Sequence, residues 1–271
     1  MSETTSKKSD GRTALVTGAT SGIGWETARL LAEQGCTVIV HAPTAESGGE
    51  AIDRLVAAGA DPARLCPAVA DFTRLDEVEA MARRIRETHP RLDVLVNNAA
   101  VAAPERHTVT ADGNEISFQV NFLAAYLLTR QLEGPLNASP DGRVVNVSSS
   151  LHRTASISWS DPNRARRYSR LAAYAQSQLA LTVFAADSAV RAVSVHPGTC
   201  ETALLALYAH EGAPAAEGAA HVVRLCDPQT EIVNGAYYDR SERTAPAPSA
   251  TEDRTVKRLN KLADQLVGAH T

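Results

Sequence analysis

The chain has 271 residues, 44% of them hydrophobic, and its 27 basic and 31 acidic side chains leave a formal net charge of −4. That length allows one large domain or two small ones, with enough apolar material for a sizeable core. The near-even charge balance excludes nucleic acid or an anionic membrane surface as the main partner.

Residues 12–17 are a short apolar run ending at a glycine-containing turn, which predicts a strand. In residues 23–34, Ile23, Thr27, Leu30 and Leu31 share one helical face, and Gly35 supplies a C-terminal cap. A second strand is predicted over 37–40, a helix over 46–58 that Gly59 ends, a strand over 65–70 and a helix over 75–87. Residues 92–96 read as a strand buried on both faces. The alternation goes on with a helix over 114–133, a strand over 143–148, a helix over 172–189 and a strand over 192–196. A Pro/Ala/Ser-rich stretch, 245–250, precedes a last helix over 252–267.

Such alternation predicts an α/β Rossmann-type fold, a doubly wound parallel sheet with helices on both faces. No linker or repeat divides the chain, so residues 1–271 read as one domain, with the polar stretch 1–11 expected to be disordered. That stretch lacks the apolar core of a signal peptide, and no apolar run approaches a membrane span. Cys36, Cys66, Cys200 and Cys226 are scattered, without Cys-x-x-Cys or a histidine cluster at metal-ligand spacing. Free thiols, no metal and a cytoplasmic location follow. Arg164, Arg166, Arg167 and Arg170 read as a solvated helix face.

Thr17-Gly18-Ala19-Thr20-Ser21-Gly22-Ile23-Gly24 follows the first strand and opens the first helix. Glycines there permit a tight turn and let a pyrophosphate approach the helix N-terminus. The turn resembles the Thr-Gly-x-x-x-Gly-Ile-Gly of the short-chain dehydrogenase/reductase family. Asp71 after the third strand, Asn97-Asn98-Ala99-Ala100, Val144-Val145-Asn146-Val147-Ser148-Ser149 and His196-Pro197-Gly198-Thr199-Cys200-Glu201-Thr202 resemble further family segments in the same order. Within the family, Asp112-Gly113-Asn114-Glu115, Val120-Asn121-Phe122-Leu123, Ser148-Ser149-Ser150-Leu151-His152 and Asn234-Gly235-Ala236-Tyr237-Tyr238-Asp239 resemble the retinol-dehydrogenase-like branch.

The resemblance implies NAD or NADP as cofactor, held by Gly18, Thr20, Ser21, Gly22, Ile23, Gly24, Asp71, Phe72, Asn98, Ala99, Pro197, Gly198, Thr199 and Thr202. It implies catalysis by Ser149, Tyr174 and Asn121, with the serine orienting a substrate oxygen and the tyrosine exchanging its proton. Tyr168 competes for the tyrosine role, but Tyr174 starts the Tyr-x-x-Ser-x pattern on the predicted helix. The family's Tyr-x-x-x-Lys reads here Tyr174-Ala175-Gln176-Ser177-Gln178, so Gln178 stands where the resemblance implies a lysine. An amide can hydrogen-bond a ribose hydroxyl but supplies no charge. His152 and His196 could replace that cation, although each reads more simply as a hydrogen-bonded structural histidine.

Family members choose between the cofactors with an acid or an arginine near the end of the second strand, and Ala42 and Pro43 offer neither. His41 could touch the adenosine or simply end the strand. The stretches between Gln178 and His196 and between Thr202 and Gly218, the latter a lid in the family, are shorter than usual. The resemblance implies an NAD(P)H-dependent reductase of a carbonyl or enone on a small apolar metabolite. The alternative is a non-redox dehydratase, isomerase or cyclase in which Tyr174 and Ser149 polarise a carbonyl. A homodimer is compatible with the resemblance, since many members pair through long helices.

Overall fold

The structure is a computed structural model that describes residues 11–102, 104–202, 204 and 211–268. Its first half runs β1 (Thr13–Val16), α1 (Gly22–Glu33), β2 (Thr37–Ala42), α2 (Ala45–Ala57), β3 (Leu65–Val69), α3 (Leu75–Thr88) and β4 (Val94–Asn97). The second half runs α4 (Ile116–Phe118), α5 (Ala124–Gln131), α6 (Glu133–Asn137), β5 (Arg143–Val147), α7 (Arg170–Ala185), β6 (Arg191–His196), α8 (Ala215–Cys226), β7 (Tyr237–Asp239), β8 (Glu242–Thr244) and α9 (Asp253–Gly268).

The strands form one sheet in the order β3-β2-β1-β4-β5-β6-β7-β8, parallel except for the antiparallel β7–β8 pair. This is the expected single-domain Rossmann-type sheet. Val16 pairs with Val40 on one side and with Val96 on the other, so β1 is central and its side chains are buried on both faces. Alternate residues feed two cores. Ala14 and Val16 join α1, α2 and α8 on one face, while Leu15 joins α3, α5, α7 and α9 on the other. Strand order reverses between β1 and β4, and the crevice beyond their C-terminal ends is where an open α/β sheet receives a ligand.

Local sequence explains most element ends. Gly35, at φ +81, takes the left-handed conformation that stops α1. Thr44 Oγ1 caps α2 by accepting from Ser47 N–H at 3.2 Å. Where the structure departs from expectation, the cause is local too. The helix expected over 114–133 is broken into α4, a wide π turn at Gln119–Leu123 and α5. The wide turn contains Asn121, whose side chain bonds the backbone of Val101, and such turns concentrate at functional sites. The helix expected to reach 189 stops at Ala185, and helix α8 and strands β7 and β8 occupy a region where no element is expected.

Of the arginine cluster, only Arg170 lies on α7. Arg164, Arg166 and Arg167 lie in the preceding loop, and Arg164 adopts φ +51 while its Nη2 donates to the Ser156 carbonyl. That corrects the expectation of one solvated helix face. The expected disorder of 1–11 falls, except for Gly11, outside the described residues, as do residues 203 and 205–210 of the stretch expected to form a short lid. Among the described residues, no helix is long and apolar enough to cross a membrane, no group of side chains could hold a metal, and all four cysteines are free thiols.

Candidate active site

The Gly-rich turn leaves β1 pressed against the end of β4. Thr17 Oγ1 accepts from the amides of Asn98 and Ala99 at 2.9 and 3.0 Å, and Asn98 Nδ2 donates to the Thr17 carbonyl at 2.9 Å. This closeness requires glycine. A Cβ on Gly18, which sits at φ +62, would come within 2.8 Å of Ala99 Cα, and one on Gly24 would overlap Gly18 O and Asn98 Nδ2.

A cleft open to solvent at its mouth lies beside this turn. It brings together Gly18, Ser21, Gly22, Ile23, Gly24, Asp71, Phe72, Asn98, Ala99, Tyr174, Gln178, Pro197, Gly198, Thr199 and Thr202, all expected from the sequence. Three expected residues do not line it. One is Thr20, whose carbonyl accepts from Arg54. Ser149 is buried, its Oγ accepting from Leu151 N–H at 3.1 Å at the start of a short 3-10 turn.

Asn121 is the third, and it stands behind the wall in a structural relay. Its Oδ1 accepts from Val101 N–H at 2.8 Å, its Nδ2 donates to Ser177 Oγ at 3.0 Å, and Ser177 Oγ donates to the Tyr174 carbonyl at 2.8 Å. Asp71 folds its carboxylate onto Thr73 N–H at 2.9 Å, which shapes the far end of the cleft.

Tyr174 and Gln178 are one helical turn apart on the buried face of α7, so both side chains reach the cleft. Tyr168 does not reach it. Its hydroxyl donates to the Pro104 carbonyl at 2.6 Å, and burial pushes its pKa up. Gln178 Oε1 is buried without a hydrogen-bond partner. Such an acceptor is costly unless a ligand donates to it.

No lysine or arginine is among the described residues lining the cleft. His196 lines it, but burial pushes its pKa down to about 4, against a smaller opposing effect of Asp239. His152 donates from Nδ1 to the Ser149 carbonyl at 2.7 Å and accepts at Nε2 from Ala247 N–H at 3.1 Å, an arrangement only a neutral ring satisfies. Burial likewise lowers its pKa.

Residues Ser148, Val101, Val120, Val147, Cys200 and Leu204 also line the cleft, although the sequence does not single them out for that role. Ser148 Oγ bonds Thr182 Oγ1 at 2.8 Å, and Thr182 Oγ1 donates to the Gln178 carbonyl at 2.9 Å, so this pair holds Gln178 in place. The apolar members suit an apolar substrate.

The glycine cradle and the unpartnered Gln178 acceptor fit a bound nicotinamide dinucleotide. Gly18 to Gly24 would hold its phosphates, Asp71 and Phe72 would border its adenine end, and Gln178 and Pro197 to Thr202 would border its nicotinamide end.

The short chain dehydrogenase family profile matches residues 12–211 of this chain. Retinol dehydrogenase 13 from Mus musculus is 32% identical over 283 residues, spanning 95% of this chain and 84% of that protein. A protein of Streptomyces sp. (strain C5), provisionally named daunorubicin C-13 ketoreductase DnrU, is 36% identical over 260 residues, spanning 90% of this chain and 88% of that one. Among solved structures, an actinorhodin polyketide ketoreductase variant with NADPH superposes at a TM-score of 0.65 with 24% identity, covering 85% of this chain and 95% of that chain.

Proposed function

The chain belongs to the short-chain dehydrogenase family and is an NAD(P)-dependent oxidoreductase, and on that premise we propose that it reduces a carbonyl or enone on a small apolar metabolite. In this reading Tyr174 is the proton donor to the substrate oxygen, and Ser149 orients that oxygen with Asn121 supporting the Tyr174 turn of α7. Gln178 takes the place where the family carries a lysine.

The observation that carries the proposal is the pairing of Tyr174 with Gln178 in a cleft lined by no lysine or arginine among the described residues. A free phenol has a pKa of about 10. A cation at about 4 Å is worth up to roughly 4 kcal/mol at an effective dielectric near 20, or about three in pKa. Without one, a phenol keeps its proton at neutral pH, and that is the state proposed for Tyr174. It can then donate a proton during reduction but rarely accept one during oxidation. His152 and His196, both neutral, do not replace the charge. When bound, a reduced nicotinamide supplies the hydride. Tyr174 supplies the proton, and the Gln178 amide gives an uncharged contact to a hydroxyl.

A sheet end without charge at Ala42 and Pro43 supports use of either cofactor. The test is turnover of a panel of small ketones, aldehydes and enones with NADH and NADPH, for wild type and Tyr174→Phe. Reduction that Tyr174→Phe abolishes supports the proposal. Reduction at wild-type rate without the hydroxyl removes Tyr174 from the role.

A further inference from the structure

We propose that His41 is the positioning residue that fixes the Gly-rich turn for a dinucleotide phosphate, a latch joining the ends of β1 and β3. The proposal rests on the reading of the cleft as the NAD(P) site. Three hydrogen bonds converge on this one residue. Gly18 N–H donates to His41 Nδ1 at 2.9 Å, Ala19 N–H donates to the His41 carbonyl at 3.0 Å, and His41 Nε2–H donates to the Ala70 carbonyl at 3.0 Å. Phe72 covers a face of the ring, with centroids 4.2 Å apart and planes 27° from parallel. His41 and Phe72 both line the cleft.

The bonding pattern admits a single form of the imidazole. Nδ1 must accept and Nε2 must donate, which only the neutral Nε2–H tautomer does. Burial, which pushes the pKa down to about 4, keeps it in that form.

Gly18 sits at φ +62, and glycine there could otherwise populate many conformations. The imidazole removes that freedom before any ligand arrives, so binding need not order the turn. It also decides which amides face an anion. Gly18 and Ala19 are occupied by His41, which leaves the first amides of α1, whose helical position gives them no partner within the helix. The turn therefore keeps that helix end available to the phosphates.

Three substitutions in the full chain separate the two side-chain bonds. His41→Asn places an amide oxygen where Nδ1 accepts, His41→Gln places an amide nitrogen where Nε2 donates, and His41→Leu offers neither. Two readouts apply: amide hydrogen exchange at Gly18 and Ala19 in the free protein, and calorimetric Kd for NADH and NADPH. With His41→Leu, exchange at Gly18 should speed up by roughly tenfold or more and the Kd should weaken by a similar factor. Exchange at Val145, in the middle of the sheet, should stay as in wild type. His41→Asn should retain protection and affinity within about threefold, while His41→Gln should lose Gly18 protection. If His41→Leu does not fold, the contrast between Asn and Gln decides the same point. Unchanged Gly18 exchange in His41→Leu, or equal losses in the Asn and Gln variants, would overturn the proposal. Failure of wild type to bind either cofactor would instead overturn the reading of the cleft, and the exchange measurement would still decide whether His41 is the latch.

Discussion

The imidazole of His152 bridges two backbone segments, donating to the Ser149 carbonyl at 2.7 Å and accepting from Ala247 N–H at 3.1 Å. It shares a neutral state with His41 and His196, both of which burial pushes to about 4. The unfolded chain holds these rings at an ordinary value near 6.5 and so binds more protons than the native state between the two values. Stability should therefore be level above about pH 6.5 and fall as pH drops towards about 4. Each of His41 and His196 contributes roughly 3 kcal/mol to the fall. Urea unfolding at a series of pH values tests this, and His41→Asn should flatten part of the slope. Stability that rises on acidification through this window would show that the rings are protonated in the fold.

The glycines separate a packing requirement from a mere helix cost. Gly24→Ala should abolish cofactor binding, because its Cβ would overlap the Gly18 carbonyl and Asn98 Nδ2. Gly49, exposed on α2, has nothing within 4 Å of an added Cβ. Gly49→Ala should raise stability by about 0.5–1 kcal/mol and leave cofactor affinity unchanged. Calorimetry and chemical denaturation on the two variants read out both effects.

The missing charge at the end of β2 predicts weak discrimination between NADH and NADPH. Pro43 is exposed and Ala42 is buried at the last position of the strand. Pro43→Arg should shift the ratio of kcat/KM values towards NADPH by roughly tenfold, the equivalent of about 1.4 kcal/mol of new phosphate contact. A ratio that does not move would mean that the adenosine ribose lies away from β2.

The sequence makes legible what depends on neighbouring residues. Strand, glycine turn and helix follow one another within residues 13–33, so the phosphate-binding end of the cleft can be located from the pattern alone. Helix α8 carries a periodic apolar face at Ala219, Val222, Val223 and Cys226, all buried, and only its small opening residues Ala215-Ala216-Glu217-Gly218 leave its start weakly marked. Strand β7 has only three residues, and its burial comes from pairing with β6.

The relation of Ser148 to Ser149 is likewise set by geometry. Both follow the last residue of β5, Val147: Ser148 lines the cleft, and Ser149 is buried at the start of the next turn, where its Oγ accepts from Leu151 N–H. His41 marks the limit most clearly. A polar residue in an apolar strand invites attention, but its partners Gly18 and Ala70 lie 23 and 29 residues away.

The central claim is that Gln178 leaves Tyr174 a neutral proton donor, and the pH dependence of alcohol oxidation tests it most directly. Initial rates of oxidation would be followed from pH 6 to about 10 for wild type, Gln178→Lys and Gln178→Lys with Tyr174→Phe. Wild-type oxidation should be slow at neutral pH and climb towards the free phenol's pKa of about 10. Gln178→Lys should move that climb down by up to about three pH units, and Tyr174→Phe should erase it. Wild-type oxidation already at its plateau near pH 7, with no displacement in Gln178→Lys, would contradict the claim and place the proton-transfer group elsewhere in the cleft.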